Sequence, residues 1–170
     1  LDLGWIEDPL PQGDAHAVAE LRRRGRTPLA VGDDQGGSYH PEALLAAGAI
    51  DVLRVDATSG GGVSGIARVI AQAEAAGVPV SPHMFPHFHT RILDGLGVED
   101  YPAEWGIPGA GVHPMDYSLE QPVMTDGVMA PLPDDPGFGR VVDPAWLGRQ
   151  EVIDPDDVLL DVPDDACMTT

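Results

Sequence analysis

Short apolar segments alternate with helical patterns along the first hundred residues, at a spacing of about 25 residues. A loop follows each apolar segment, and most helical patterns end at a glycine. Strands that alternate with helices form βα units, in which successive strands lie parallel in one sheet. The apolar segments are LDLGWI, TPLAVG, IDVLRVD, VPVSPH and YPAEWG. The chain is therefore predicted to have an α/β fold built on a parallel sheet.

Helix start and stop signals support this interpretation. The segment DAHAVAELRRRG begins at a capping residue, Asp14, and stops at Gly25. The segment HPEALLAAG carries a proline in its first turn and is a second short helix. The clearest helix is VSGIARVIAQAEAAG, which is apolar at 66, 69, 70 and 73. A shorter helix is predicted through TRILDGLG.

Two further segments bear on the organisation of the chain. The glycines of SGGGVSG (59–65) fit either a phosphate cradle at a helix N-terminus or simply a tight turn. From about residue 106 the sequence becomes rich in Pro and Gly, which predicts loops and short strands. We therefore divide the chain into a βα part (1–106), a closing segment (107–149) and an acidic, disordered tail (150–170).

Charge and cysteine content narrow the class of protein. The formal net charge of −19 argues against binding to nucleic acid or to an anionic membrane. The single cysteine, Cys167, cannot form an internal disulfide. There is no long apolar run and no signal-peptide pattern at the start, so we expect a cytoplasmic protein. Because the chain begins with Leu1 inside an apparent strand, we also expect its N-terminal part to be missing.

An ionisable residue stands at the end of each of the five predicted strands. In a (β/α) barrel these strand ends converge on one active-site mouth. Four carboxylates around one pocket would repel one another unless a cation lay between them, and Mg²⁺ is the natural hard cation for oxygen ligands. The five residues are Glu7, Asp33, Asp56, His83 and Glu104.

The motifs around these residues resemble those of the mandelate racemase group of the enolase superfamily. They come in the same order as in that group and at nearly the same spacing. The resemblance rests on WIEDP, AVGDDQ, VDATSGGGVSG, VSPHMF and PGFG and covers residues 1 to about 147. It implies strands four to eight of a modified TIM (β/α) barrel. The resemblance also implies Mg²⁺-assisted removal of the proton α to a carboxylate.

The resemblance assigns roles to the same five residues. It implies Glu7 and Asp33 as metal ligands, with Asp34 as the alternative to Asp33. The remaining residues, Asp56, His83 and Glu104, are implied to be catalytic: an acid–histidine dyad and an acid that hydrogen-bonds a substrate carboxylate oxygen. The chain has no lysine, which matches the racemase-type arrangement rather than branches with a lysine at the sixth strand.

The implied activity is dehydration of a sugar acid, with racemisation or epimerisation of a 2-hydroxy acid as the alternative. An inactive remnant that serves as a structural or interaction module is the alternative of another class. The family's first metal ligand, its second-strand lysine motif and its capping domain would lie upstream of Leu1. We therefore expect this chain alone to be inactive and to bind Mg²⁺ poorly, and the full-length protein to be a homo-oligomer acting on a small carboxylate substrate.

The remaining histidines carry weaker expectations. Spacings of four and two among His83, His87 and His89, without cysteines, do not fit a structural zinc site. We expect His87 and His89 to lie at the surface or behind the site, with substrate contact as the alternative. Two others, His16 and His40, are expected to be exposed, and His113 has no role that can be argued.

Overall fold

The computed structural model describes residues 2–11, 13–33, 35–105, 123–130, 136–138 and 144–148. Within them, four parallel strands form one sheet in the order β1-β2-β3-β4. Each strand pairs with the next one along the chain, and a helix lies between each pair, which is the wall of a (β/α) barrel. The strands are β1 (Ile6–Glu7), β2 (Leu29–Val31), β3 (Val52–Val55) and β4 (Val80–Pro82). The predicted α/β class and parallel sheet are confirmed.

The helices follow the predicted start and stop residues closely. The Asp14 side chain accepts a hydrogen bond from Ala17 N–H at 2.9 Å and caps the first helix, which Gly25 ends. The third helix ends at Gly77, whose φ of 68° suits a residue without a side chain. The helices are α1 (Ala15–Arg24), α2 (Tyr39–Ala46), α3 (Gly62–Ala76) and α4 (Pro86–Gly95).

The main core lies between the sheet and these helices. Both faces of the central strands are covered, which is typical of parallel sheets. In β3, Leu53 and Val55 join this core, whereas Arg54 between them points to the other face of the sheet. The core residues contributed by α3 are those predicted from its period, namely Ile66, Val69, Ile70 and Ala73.

Three expectations were wrong. The segment YPAEWG forms no strand over its described residues 101–105. Helix α4 begins at Pro86 rather than near residue 90, because proline suits the first turn of a helix. His87 and His89 therefore lie within α4 and are fully buried, which excludes only the surface among the positions expected for them. The third wrong expectation concerns His40, which is only 5% exposed. His16 is exposed, as predicted.

The rest of the described chain is short. An antiparallel pair, β5 (Met124–Thr125) with β6 (Val128–Met129), belongs to the same compact unit as the sheet. A short helix, α5 (Pro144–Leu147), belongs to a second unit. The acidic tail, Asp34 and His113 lie outside the described residues. Among the helices that are described, none is both long and apolar enough to cross a membrane.

Candidate active site

The Asp56–His83 pair lies at the carboxyl ends of β3 and β4. The register of these strands pairs Val55 with Pro82, so the next residues, Asp56 and His83, come side by side. The His83 backbone N–H donates to the Val55 carbonyl at 2.9 Å and extends the ladder by one residue. The Nδ1 atom of His83 lies 3.0 Å from Oδ2 of Asp56, so the two side chains form a hydrogen-bonded dyad.

Asp56 is buried and is held as a carboxylate. It is 5% exposed, and its Oδ1 atom accepts hydrogen bonds from the Thr58 backbone N–H and hydroxyl, each at 2.7 Å. Burial raises the pKa of Asp56, but the hydrogen bonds that the carboxylate accepts outweigh burial and hold this pKa far below its usual range. An ionised Asp56 can therefore orient the His83 ring through Nδ1.

His83 is the partly exposed member of the dyad, with 28% of its side chain accessible. The hydrogen bond with Asp56 raises the pKa of His83 against the opposing effect of burial, and the charges of Asp33 and Glu104 add to the rise. Its Nδ1 atom also lies 3.2 Å from Oδ2 of Asp33. Through Asp33, the dyad adjoins a cluster of carboxylates.

Three carboxylates converge beside the dyad. Oxygen atoms of Glu7, Asp8 and Asp33 all lie within 4.8 Å of one another. The first two come from the end of β1, and the third follows β2 and is 4% exposed. Three carboxylate oxygens are the hard ligands that Mg²⁺ prefers, so this donor set fits the predicted metal.

Glu104 reaches the same face of the sheet, although its segment is not a strand. Its Oε2 atom accepts hydrogen bonds from Arg54 Nη2 at 2.5 Å and from the Met84 backbone N–H at 3.0 Å. Burial raises the pKa of Glu104, but these two donors outweigh it and lower the pKa below its ordinary value. Glu104 is therefore an ionised acceptor in this arrangement.

Arg54 is the cation at the centre of the site, and the sequence reasoning missed it. It is 1% exposed, and its Nη1 atom donates to Ser81 Oγ at 2.6 Å and to the Pro82 carbonyl at 3.0 Å. Its Nε atom forms an ion pair with Glu7 at 3.1 Å, without the angles of a hydrogen bond. An arginine two residues before Asp56 in a buried strand, and hence on the same side of the sheet, was the available signal.

Asp8 was also missed. WIEDP contains two adjacent acids, and strand alternation predicts that the second points to the opposite face of the sheet from Glu7. However, Asp8 has a φ of 42°, so it leaves the extended conformation on which alternation depends. The structure therefore brings both adjacent carboxylates together with Asp33.

The glycine-rich segment after β3 makes a tight turn. The Gly60 N–H donates to the Asp56 carbonyl at 2.7 Å, and a Cβ at Gly60 would lie 2.6 Å from that oxygen. A side chain at this position would push against the strand end that carries Asp56. This close approach accounts for one glycine of the segment, and the phosphate-cradle interpretation stays untested.

Residues 1–146 match the model of the family described as enolase C-terminal domain-like. The chain belongs to this enolase-like family. The match covers more than half of the chain and confirms the resemblance drawn from the motifs.

Members of this enolase-like family are similar to the chain along most of its length. It is 30% identical over 162 residues to a D-galactonate dehydratase family member of Oceanicola granulosus, covering 89% of the chain and 38% of that protein. It is 33% identical over 160 residues to D-galactonate dehydratase of Verminephrobacter eiseniae, covering 84% of the chain and 40% of that protein. The structure of a racemase from Streptomyces coelicolor, solved with bound magnesium, superposes on this chain with a TM-score of 0.75 at 28% identity. The match covers 87% of this chain and 39% of the racemase. The chain thus spans well under half the length of the relatives it matches.

Proposed function

We propose that the full-length protein is a Mg²⁺-dependent enzyme that removes the proton α to a carboxylate, and that it dehydrates a sugar acid. Two of the similar proteins are named D-galactonate dehydratase or members of that family. The similar racemase structure contains magnesium. This chain would supply the base and most of the groups around it.

One observation carries the proposal. The Nδ1 atom of His83 lies 3.0 Å from the buried carboxylate of Asp56 and 3.2 Å from Asp33 of the carboxylate cluster. A general base beside a cation site is what proton removal next to a carboxylate requires, because the carbanion's charge must be stabilised where it forms. The dyad alone or the cluster alone would not indicate this chemistry.

The dyad geometry supports Nε2 of His83 as the proton-accepting atom. With Nδ1–H donated to Asp56, the lone pair of a neutral His83 lies on Nε2, which makes no hydrogen bond to any residue inside the described ranges. The Cα–H bond breaks, its electron pair stays on the substrate as an enediolate, and the proton goes to Nε2. The electron pair of the enediolate then expels the β-hydroxyl, which takes the proton from Nε2 of His83 and leaves as water, and the resulting enol tautomerises to a 2-keto acid.

The metal site would be formed by Glu7 and Asp33, to which the geometry adds Asp8. When bound, Mg²⁺ supplies Lewis-acid stabilisation of the charge that develops on the substrate carboxylate. The ligands come from two neighbouring strand ends, so the fold of the sheet brings them together.

Glu104 is proposed to contact the substrate as well. The resemblance implies a hydrogen bond from Glu104 to a substrate carboxylate oxygen, which requires the protonated acid. Arg54 and the Met84 N–H favour the ionised form instead. We therefore assign Glu104 as an acceptor for a substrate hydroxyl, of which sugar acids have several.

Racemisation or epimerisation of a 2-hydroxy acid is the second candidate, and the similarity to the Streptomyces coelicolor racemase favours it. The same dyad would serve one face of the substrate in that reaction.

The proposed enzyme is a cytoplasmic homo-oligomer. The proposal keeps the boundaries 1–106, 107–149 and 150–170 and assigns the enzyme no nucleic-acid or membrane partner.

The test uses the full-length protein with Mg²⁺ and a panel of sugar acids and 2-hydroxy acids. Formation of 2-keto acids would support dehydration, and exchange of the Cα proton in D₂O without a keto product would support racemisation. His83→Gln is expected to lower kcat by about 10²–10⁴-fold, the usual contribution of a general base. His16→Gln, at an exposed histidine of α1, is the matched control and should keep wild-type turnover.

Two outcomes would overturn the proposal. The first is turnover that survives in His83→Gln. The second is the absence of both keto product and deuterium exchange across the panel with Mg²⁺ present, which would favour an inactive structural or interaction module.

A further inference from the structure

His89 lies fully buried in α4, and both of its ring nitrogens bind backbone groups. Nδ1 lies 2.8 Å from the Met84 carbonyl, and Nε2 lies 2.9 Å from the Ala57 backbone N–H. A carbonyl only accepts and an N–H only donates. The ring is therefore neutral, with its proton on Nδ1 and its lone pair on Nε2.

The two backbone groups have a particular place in the site. Ala57 directly follows Asp56, and Met84 directly follows His83. The β3–β4 ladder ends with the His83 N–H bonded to the Val55 carbonyl. Beyond this point, the segment after β3 turns into α3 and the segment after β4 leads into α4. The His89 ring joins these two segments.

The segment that carries His83 needs such a support. Met84 and Phe85 have φ values of 45° and 40°, a left-handed conformation that is costly for residues with side chains. Strain of this kind persists only where surrounding contacts hold it. The His89 hydrogen bond to the Met84 carbonyl is one of these contacts.

The ring also does not compete with His83 for the same oxygen of Asp56. Its Nε2 atom lies 3.3 Å from Oδ1 of Asp56, but in this tautomer Nε2 has no proton to donate to that oxygen. Oδ1 accepts instead from Thr58, and Oδ2 remains available to His83.

We infer that His89 is a positioning residue for the Asp56–His83 dyad: its ring joins the backbone positions that follow the two residues and so keeps their side chains at hydrogen-bond distance. This inference rests on the proposed function for the catalytic role of the dyad. The clip itself, Met84–His89–Ala57, stands on the hydrogen bonds alone.

Three substitutions in the full-length protein test the two hydrogen bonds of the clip, to Met84 and to Ala57, separately and together. His89→Asn places an amide near Nδ1 and can still donate to Met84. His89→Gln places a carbonyl near Nε2 and can still accept from Ala57. His89→Leu removes both hydrogen bonds. We expect kcat to fall by about 100-fold in His89→Leu, the scale of a misplacement of about 1 Å, and by less in the other two.

The matched control is His87→Gln. His87 is equally buried in the same helix but lies about 200° around it, where its ring packs edge-on to Phe88 with centroids 4.5 Å apart. This variant is expected to lose stability without a selective loss of kcat. Unchanged KM for substrate in the His89 variants would separate misplacement of the dyad from loss of binding.

A second measurement does not depend on turnover. A ¹H–¹⁵N spectrum of the histidine side chains of the wild-type protein should show His89 protonated at Nδ1 only. Wild-type kcat in His89→Leu, equal loss in His87→Gln and all His89 variants, or a proton on Nε2 of His89 would overturn the inference. Failure of the wild-type protein to turn over any acid would refute the proposed function and leave the tautomer result to decide on the clip.

Discussion

At the level of single residues, Arg54 explains how several acidic side chains coexist at one strand edge. Its guanidinium contacts Glu7 and Glu104, and both carboxylates lose a neighbouring positive charge if it is removed. A cation inside the barrel wall therefore holds part of the site together independently of any metal. From β3, its side chain also contacts β1 through Glu7 and β4 through Ser81.

Arg54→Met is expected to lower the free energy of unfolding of the metal-free full-length protein by about 2 kcal/mol. Breaking a fully buried ion pair costs about 3–5 kcal/mol. The cost is smaller here because the Glu7 and Glu104 side chains are 36% and 41% exposed and are screened by water. Equilibrium unfolding in urea measures the change.

Arg68→Met is the matched control for Arg54→Met. Arg68 is 61% exposed and pairs with Glu42, so its loss should cost less than about 1 kcal/mol. Equal costs for the two variants would show that Arg54 does not hold the acidic side chains as described.

At the level of helices and strands, Asp51 ties α1 to the ends of β2 and β3 that lie opposite the site. Its Oδ1 atom accepts from Arg22 Nε at 2.9 Å and Nη2 at 2.7 Å, and its Oδ2 atom accepts from the Leu29 N–H at 2.9 Å. The hydrogen bond from Arg22 lowers the pKa of Asp51 against the opposing effect of burial. These bonds set how the helix packs on the sheet whose far end carries the dyad.

Asp51→Asn is expected to cost about 1 kcal/mol of stability at pH 7, the low end for a charged hydrogen bond because the pair is partly exposed. A carboxyl whose pKa is lower in the folded state contributes its stability above the unfolded pKa of about 3.9 and loses it as pH falls through the folded pKa. The difference between wild-type and variant stability should therefore be constant from about pH 7 to 5 and shrink below about pH 4. Urea unfolding across this range measures it, and a difference that grows on acidification would contradict the assignment.

At the level of the folded chain as a whole, the carboxylate cluster depends on tertiary structure. Glu7 ends β1 and Asp8 follows it, whereas Asp33 follows β2, and α1 lies between the two strands in sequence. A ligand that binds only this arrangement stabilises the folded state according to its concentration and affinity. Metal binding can therefore be read from thermal stability without any knowledge of the substrate.

Mg²⁺ added to the chelator-treated full-length protein is expected to raise Tm. At a free concentration of about 100 Kd the stabilisation is about 2.7 kcal/mol. Glu7→Gln should lose most of the shift, because a neutral amide is a poorer ligand than a carboxylate. The control is Glu42→Gln on α2, which should keep the wild-type shift, and a full shift in Glu7→Gln would remove that residue from the metal site.

Local sequence signals predict the order of β1 to β4 and of the helices that follow them, and they predict which residues share one edge of the sheet. Asp14 caps α1, Gly77 ends α3, and residues that directly follow parallel strands meet at the same edge. From that rule alone, Asp33, Asp56 and His83 are correctly expected to lie together. The rule needs no knowledge of distances between side chains.

The contacts that complete the site follow only from tertiary packing. Strand alternation places Arg54 on the same side of the sheet as Asp56, but it does not give the partners of Arg54. The roles of Asp8 and His89 depend on backbone angles or on contacts with residues distant in sequence. Glu104 reaches Arg54 without a strand to carry it, because a buried guanidinium can hold a carboxylate from an irregular segment. Local pattern sets the edge at which a side chain emerges, whereas its partners depend on how closely separate elements pack.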